Sequence, residues 1–332
     1  MPTSLTLFIA PIFALSLSIF LGIGILHFFP KWGILDRPLK YGHTRKPIPY
    51  PGGIAIFIAF TITILLFLPL DFKMIGFLCG GALLTVVSFT DDRYGVSPIL
   101  RLFLQIFVTG ILIWSGTKIV YISDPLGGTA FELTPFFSTV ITVMWVIILI
   151  NTLNWLDGVP GVASGASALS GIFLGVLSLT PLVNQQELAA MGFIFGAANL
   201  GFTFFNFPPP KMLNGDTGAM FSGFAIAAFS IFSGGKMATA FLVLAIPLFD
   251  AASVVFHRLR QKKSPFHGND KRHLHDELLK KGWKEIHIMV LFLGISSILG
   301  VSTLYLRTLG KIIILGIIGI VVFALSWQNQ KK

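Results

Sequence analysis

MIGFLCGGALLTVVSFTDDRYGVSP, from Met74 to Pro98, runs apolar as far as Thr90 and then meets two adjacent carboxylates, Asp91 and Asp92. An apolar stretch of this length reads as a helix crossing a hydrocarbon layer about 30 Å thick, which takes about 20 residues. The acids mark where it leaves the layer, because neighbouring ionised carboxylates repel one another and resist leaving water. Solvated loop acids, or an Asp capping the helix that starts at Pro98, would satisfy the local pattern. So would a cation, a proton or phosphate chemistry. The choice depends on where the other polar residues fall.

The rest of the chain repeats the pattern. Of 332 residues 54% are hydrophobic and 11% charged, and mean hydropathy is +0.83, too apolar for a soluble domain. No alternating strand pattern recurs as it would in a barrel. The expected fold is an all-α, polytopic integral membrane protein of about eleven transmembrane helices. The spans lie near 4–29, 52–70, 74–90, 98–115, 136–153, 161–181, 187–205, 217–233, 236–256, 286–306 and 311–327. The first lacks a basic leader and is read as a retained helix. Cys79 is the only cysteine, so no disulfide forms within the chain.

Basic residues collect in cytoplasmic loops. With eleven helices, 19 of the 24 Lys and Arg fall on one side: Lys31, Arg37, Lys40, Arg45, Lys46, Arg93, Arg101, Lys211, nine between Arg258 and Lys284, Lys331 and Lys332. Lys73, Lys118, Lys236, Arg307 and Lys311 fall on the other. The N-terminus is therefore expected outside and the C-terminus in the cytoplasm. The charge of +10 then faces anionic lipid headgroups, a nucleotide or a lipid phosphate, with no nucleic-acid partner expected.

Every unusual polar cluster falls on that inner side. Asp91 and Asp92 follow the third span, NTLNWLDG from Asn151 ends the fifth, NGDTG from Asn214 follows the seventh, and HGNDKRHLHD from His267 follows the ninth. The outer loop with Asp124, Glu132, Pro125, Gly127 and Gly128 is ordinary. Asn151, Asn154 and Asp157, at i, i+3 and i+6, share a helix face before Gly158 and Pro160 stop it, which suits a ligand better than capping. Asp216 is either the N-cap of the next helix or a carboxylate whose flanking glycines let a phosphate or metal approach. Hard oxygen donors favour Mg2+, or Mn2+ in its place, over zinc. His273 and His275, beside Arg272, suit an anionic diphosphate better than a solvated basic loop. Asp250, inside the ninth span, is either a functional acid or a hydrogen-bonded structural one. Lys46 belongs to a first inner loop, Lys31 to Gly53, that either grips lipid phosphate or only marks the inner side.

Taken in order, these stretches resemble the polyprenyl-phosphate N-acetylhexosamine 1-phosphate transferases. The likeness is carried by K-x-G-x-x-D-x-P from Lys31, RKP from Arg45, DDRYGVS from Asp91, N-x-x-N-x-x-D-G from Asn151, FP from Phe207, GDTG from Gly215, PLFD from Pro247, SPF from Ser264 and DKRHLH from Asp270. The resemblance implies a single transmembrane catalytic domain over 1–332. Its site would be formed by cytoplasmic loops 30–51, 91–98, 151–160, 206–217 and 257–285. It implies transfer of a sugar 1-phosphate from a UDP-N-acetylhexosamine to polyprenyl (undecaprenyl) phosphate in the plasma membrane. UMP is released and a cell-surface glycan such as lipopolysaccharide or teichoic acid is begun.

In such enzymes Asp91, Asp92 and Asp157 fall at catalytic positions, and Asp216 and Asn154 at the Mg2+ site. Asn151, Asn154, His273, His275, Arg272 and Lys46 fall at substrate-binding positions. Pro160 and Asp276 depart from the pattern where the family carries Asp and His. The HLH of His273 to His275 is similar to the branch transferring N-acetylglucosamine 1-phosphate, the muramoyl-pentapeptide branch being the alternative. From another class, a secondary transporter would also be polytopic, but its broken helices would carry polar residues at mid-membrane. The family reading leaves a homodimer open.

Overall fold

The computed structural model describes residues 4–38, 45–122, 124, 129–181, 183–233, 237–263 and 272–330. Lys40, Pro125, Gly127, Gly128, Lys236, the SPF stretch, His267, Asp270, Lys271, Lys331 and Lys332 lie outside them. The helices are α1 (Ser4–Phe28), α2 (Ile54–Phe67), α3 (Phe72–Tyr94), α4 (Pro98–Trp114), α5 (Pro135–Leu156), α6 (Val162–Leu179) and α7 (Gln186–Asn206). They continue as α8 (Gly215–Phe232), α9 (Met237–Val243), α10 (Ala245–Arg260), α11 (Leu274–Lys280), α12 (Glu285–Tyr305) and α13 (Thr308–Gln330). A two-residue antiparallel ladder, β1 (Tyr121–Ile122) with β2 (Phe131–Glu132), interrupts the connection before α5.

Among the described residues seven helices are long and apolar enough to cross a membrane, and an eighth span is formed if α9 and α10 count as one. Ile54–Phe67, Pro98–Trp114 and Thr308–Ala324 are shorter apolar helices. The outer helices turn large apolar side chains outward, among them Phe8, Phe20, Phe103, Phe107, Val86 and Ile298, as lipid-facing helices do. α8 is different. Ala219, Phe221, Phe224, Ala225, Ile226 and Phe229 are all buried, and α8 packs against α3, α5 and α6. A helix apolar on every face belongs at the centre of a bundle.

Close backbone approach sets that centre. A Cβ on Gly223 of α8 would lie 2.5 Å from the Leu149 carbonyl oxygen of α5, and one on Gly171 of α6 would lie 2.7 Å from the Gly192 oxygen of α7. Small residues at helix contacts let backbones come this near in a lipid environment. Buried hydroxyls and amides then bond across helices: Ser18 donates to the Ala198 carbonyl at 2.7 Å, and Thr203 to Ser164 at 2.9 Å.

Two expectations are corrected. The span expected as one helix over 236–256 is a pair bent by 84° at Leu244. Pro247 supplies the reason: its ring crowds the carbonyl four residues back, on Val243, and it has no amide to donate. The segment 257–285 is not loop throughout, since α10 extends to Arg260 and α11 occupies Leu274–Lys280.

Candidate active site

The site is built on the first turn of α8. A helix start leaves backbone amides unpaired and carries partial positive charge. Here carboxylates from two other helices receive them. Gly215 N donates to Asp157 Oδ2 at 3.2 Å, Asp216 N to Asp92 Oδ1 at 3.0 Å, and Thr217 N to Asp92 Oδ2 at 3.0 Å. The Thr217 hydroxyl adds a bond to Asp92 at 2.6 Å and the Tyr50 hydroxyl another at 2.5 Å, while Asn214 Nδ2 donates to Asp157 at 3.2 Å. Asp216 is therefore not the N-cap. α8 is capped from α3 and from the end of α5, which leaves the Asp216 carboxylate for other partners.

Those partners are Asn154 and Arg101. Asn154 Nδ2 donates to Asp216 Oδ1 at 2.8 Å, and Arg101 Nη1 to Asp216 Oδ2 at 2.7 Å. The same guanidinium reaches Asp91: Nη2 donates to Oδ1 at 3.0 Å and Nε pairs with Oδ2. Val96 N also donates to Asp91 Oδ1, at 2.6 Å. One Arg thus bridges two helices through two carboxylates. The Asn151, Asn154 and Asp157 face does not converge on a single point. Asn151 bonds to Gln105 Oε1 of α4 at 2.8 Å, Asn154 to Asp216, and Asp157 to Asn214 and Gly215.

Burial raises the Asp157 carboxyl well above the usual carboxylate range; the Asn214 bond opposes this, and the charges of Asp216 and Asp92 add to it. Four carboxylates, Asp91, Asp92, Asp157 and Asp216, are thus tied together through Arg101 and the start of α8. Of these, Asp216, with the Asn154 amide beside it, offers hard oxygen donors of the kind a divalent cation takes. Among the described residues no three His, Cys, Asp or Glu side chains form a group that could hold a metal ion. An ion held by Asp216 and the Asn154 amide would complete its shell with water and phosphate oxygens, which is how Mg2+ is commonly bound.

The histidine loop docks on the end of α5. Asp250 accepts from His273 Nδ1 at 2.9 Å and from Leu274 N at 2.8 Å, so this acid holds the start of α11. Asp276, at the departure from the family pattern, accepts from His273 N at 3.2 Å. The rings of His273 and His275 stack with centroids 5.5 Å apart, and His273 lies 5.8 Å from the Trp155 ring. The Arg258 guanidinium sits over the same Trp155 ring at 5.9 Å. His275 presses Nε2 against the backbone of Gly158, where any Cβ would collide with it. Burial lowers the His275 pKa, Asp276 opposing and His273 adding to the shift, so the ring is held toward its neutral form.

Arg272 donates to Gln261 at 3.3 Å. Lys46 is exposed, and its carbonyl accepts from Arg45, which pairs with Asp36 at 2.6 Å. The segment that follows is strapped to the α8 approach: Leu213 N donates to the Pro49 carbonyl at 3.1 Å and Gly53 N to the Asn214 carbonyl at 2.9 Å.

Sequence reasoning passed over Tyr50, Arg101, Gln105, Asn214 and Thr217. For Arg101 a signal existed. A cation in the first turn of a helix opposes the helix dipole, so an Arg three residues after Pro98 needs a partner elsewhere. Gln105, one turn on, shares its face.

A family model described as glycosyl transferase family 4 matches residues 74–234. The undecaprenyl-phosphate alpha-N-acetylglucosaminyl 1-phosphate transferase of Haemophilus influenzae is 30% identical over 306 residues, covering 86% of this chain and 83% of that protein. The protein of the same name from Pasteurella multocida is 32% identical over 269 residues, covering 76% and 73%. The probable undecaprenyl-phosphate N-acetylglucosaminyl 1-phosphate transferase of Bacillus subtilis is 28% identical over 286 residues, covering 84% and 78%.

Proposed function

The chain belongs to glycosyl transferase family 4, and from that premise we propose that it transfers N-acetylglucosamine 1-phosphate from a UDP-sugar to undecaprenyl phosphate, releasing UMP. The observation that carries the reading is the gathering of Asp91, Asp92, Asp157 and Asp216, from three separate helices, around Arg101 and the start of α8. That gathering lies in a helical membrane chain aligned along most of its length with transferases of that name. The attack is by a lipid phosphate oxygen on the β-phosphorus of the sugar nucleotide, with UMP as the leaving group.

Asp216 and Asn154 would hold Mg2+, which when bound offsets the charge developing on the diphosphate. Asp92 and Asp157 hold the first turn of α8 and so set the position of Asp216. Asp91 is the carboxylate of the pair assigned to the lipid phosphate. Its main partner is a side chain that can move, whereas Asp92 is bound to two backbone amides. His273 would reach the sugar and diphosphate from a loop that His275, buried against Gly158, holds in place, and Arg272 and Lys46 would supply positive charge.

Eleven crossings, an outside N-terminus and a cytoplasmic site agree with the distribution of Lys and Arg. Purified protein is offered undecaprenyl phosphate with UDP-N-acetylglucosamine, other UDP-N-acetylhexosamines or UDP-N-acetylmuramoyl-pentapeptide, with and without Mg2+. UMP release with the first donor, dependent on Mg2+, is expected. Release with the muramoyl donor alone would move the chain to the other branch.

A further inference from the structure

We propose that Arg101 stands in for the divalent cation in the substrate-free protein, so that a cation reaches Asp216 only as the guanidinium gives that carboxylate up. The inference rests on the reading of Asp216 as a cation ligand. Three observations support it. The guanidinium spans Asp216 on α8 and Asp91 on α3 with Nη1, Nη2 and Nε, joining two carboxylates as a cation between them would. Its position is not explained by α4, whose first turn disfavours positive charge. Its exposure differs from that of its partners: the Arg101 side chain is 34% exposed and Asp216 22%, against 3% for Asp91. Exchange can therefore take place on the water side of Asp216 while Asp91 stays buried.

A divalent cation and a guanidinium on one carboxylate repel each other strongly in a partly buried setting, so the two compete. Once displaced, Arg101 needs a new anion, and phosphate oxygens suit its planar fork. Cation and diphosphate then enter as a coupled pair, and the bare protein holds the cation weakly. Arg101 is a positioning residue in this scheme.

The test titrates Mn2+ alone into the full-length protein in detergent, with free Mn2+ followed by electron paramagnetic resonance. Arg101→Gln is expected to lower the Kd about tenfold or more, and Arg101→Lys, a point charge that spans the two carboxylates poorly, about threefold. Asp216→Asn is expected to abolish saturable binding. A Kd for Arg101→Gln equal to or above that of the wild type, with binding still lost in Asp216→Asn, overturns the inference and leaves the cation reading standing. Unchanged binding in Asp216→Asn removes the cation reading and this inference with it. If Arg101→Gln does not fold, Arg101→Lys decides, and a Kd not below wild type overturns the inference.

Discussion

The starts of α8 and α11 are held in the same way and differ in the carboxylates that gather beside them. At each, an acid from another helix takes the first backbone amides: Asp92 and Asp157 at α8, Asp250 at α11. At α11 Asp250 also bonds His273 Nδ1, whose ring stacks on that of His275 and neighbours that of Trp155. At α8 two further carboxylates, Asp91 and Asp216, share one guanidinium. Capping accounts for an acid at a helix start. It does not account for the surplus, and the surplus is where phosphate chemistry is expected.

The sharpest way to break this contrast is Asp216→Asn. Because the Asp216 side chain caps nothing, the fold should survive while UMP release falls about 100- to 1,000-fold, the scale for losing a group that stabilises transition-state charge. Wild-type turnover in that variant would detach the surplus from chemistry.

Asp92→Ala tests the holding role. It strips acceptors from two amides and two hydroxyls, and should cost about 2–4 kcal/mol, read as a lower Tm in detergent. Asp91→Asn should instead lower turnover with little change in Tm. The reverse pattern would exchange the roles given to the two acids.

Gly158→Ala addresses the other region, since its Cβ would meet His275. The loop must shift, and kcat/KM should fall about tenfold, with Mn2+ affinity unchanged because the α8 end is untouched. A change in Mn2+ affinity would show that the two regions are not separable.

Acidity separates them further. The folded pKa of His275 lies below 6.5, so the unfolded chain binds more protons, and this contribution to stability is complete above pH 6.5 and lost as pH falls through the folded pKa. Protection factors over residues 274–280, taken relative to the intrinsic exchange rate at each pH, should fall as pH falls below 6.5, and His275→Gln should flatten that response. Asp157 has the opposite sign. Its folded pKa is raised, so its contribution is complete below the unfolded value of 3.8 and lost as pH rises through the folded pKa, and Asp157→Asn removes that dependence in a Tm-against-pH series. The smallest expected effect is Tyr50→Phe, which deletes one of four bonds to Asp92 and should cost about 1 kcal/mol.

Much of the helix content was legible because membrane solvation demands long apolar runs with self-satisfied backbones, and a run such as Met74–Thr90 advertises this without any partner. The bend at Leu244 was legible in principle from Pro247, but an apolar helix with a proline reads the same whether it kinks slightly or turns through 84°. Asp91, Asp92, Asp157 and Asp216 were legible as acids at helix ends. For Arg101 only the need of a partner was legible, from its place in the first turn of α4; that the partners are Asp91 and Asp216 was not.

The order of amino acids by itself determined that this chain is a bundle of apolar helices and that its chemistry-bearing side chains lie at helix ends, since hydrophobicity and helix termination are local properties. Only the tertiary structure decided which acids are spent and which remain. Asp92 is consumed by amides 124 and 125 positions away in the chain, and Asp216 is released from capping by that same contact. Asp91 is tied to Arg101 across a turn, and Asp250 to His273 across 23 positions. A carboxylate's role follows from the number and kind of donors that reach its oxygens, and those are set by how the helices pack.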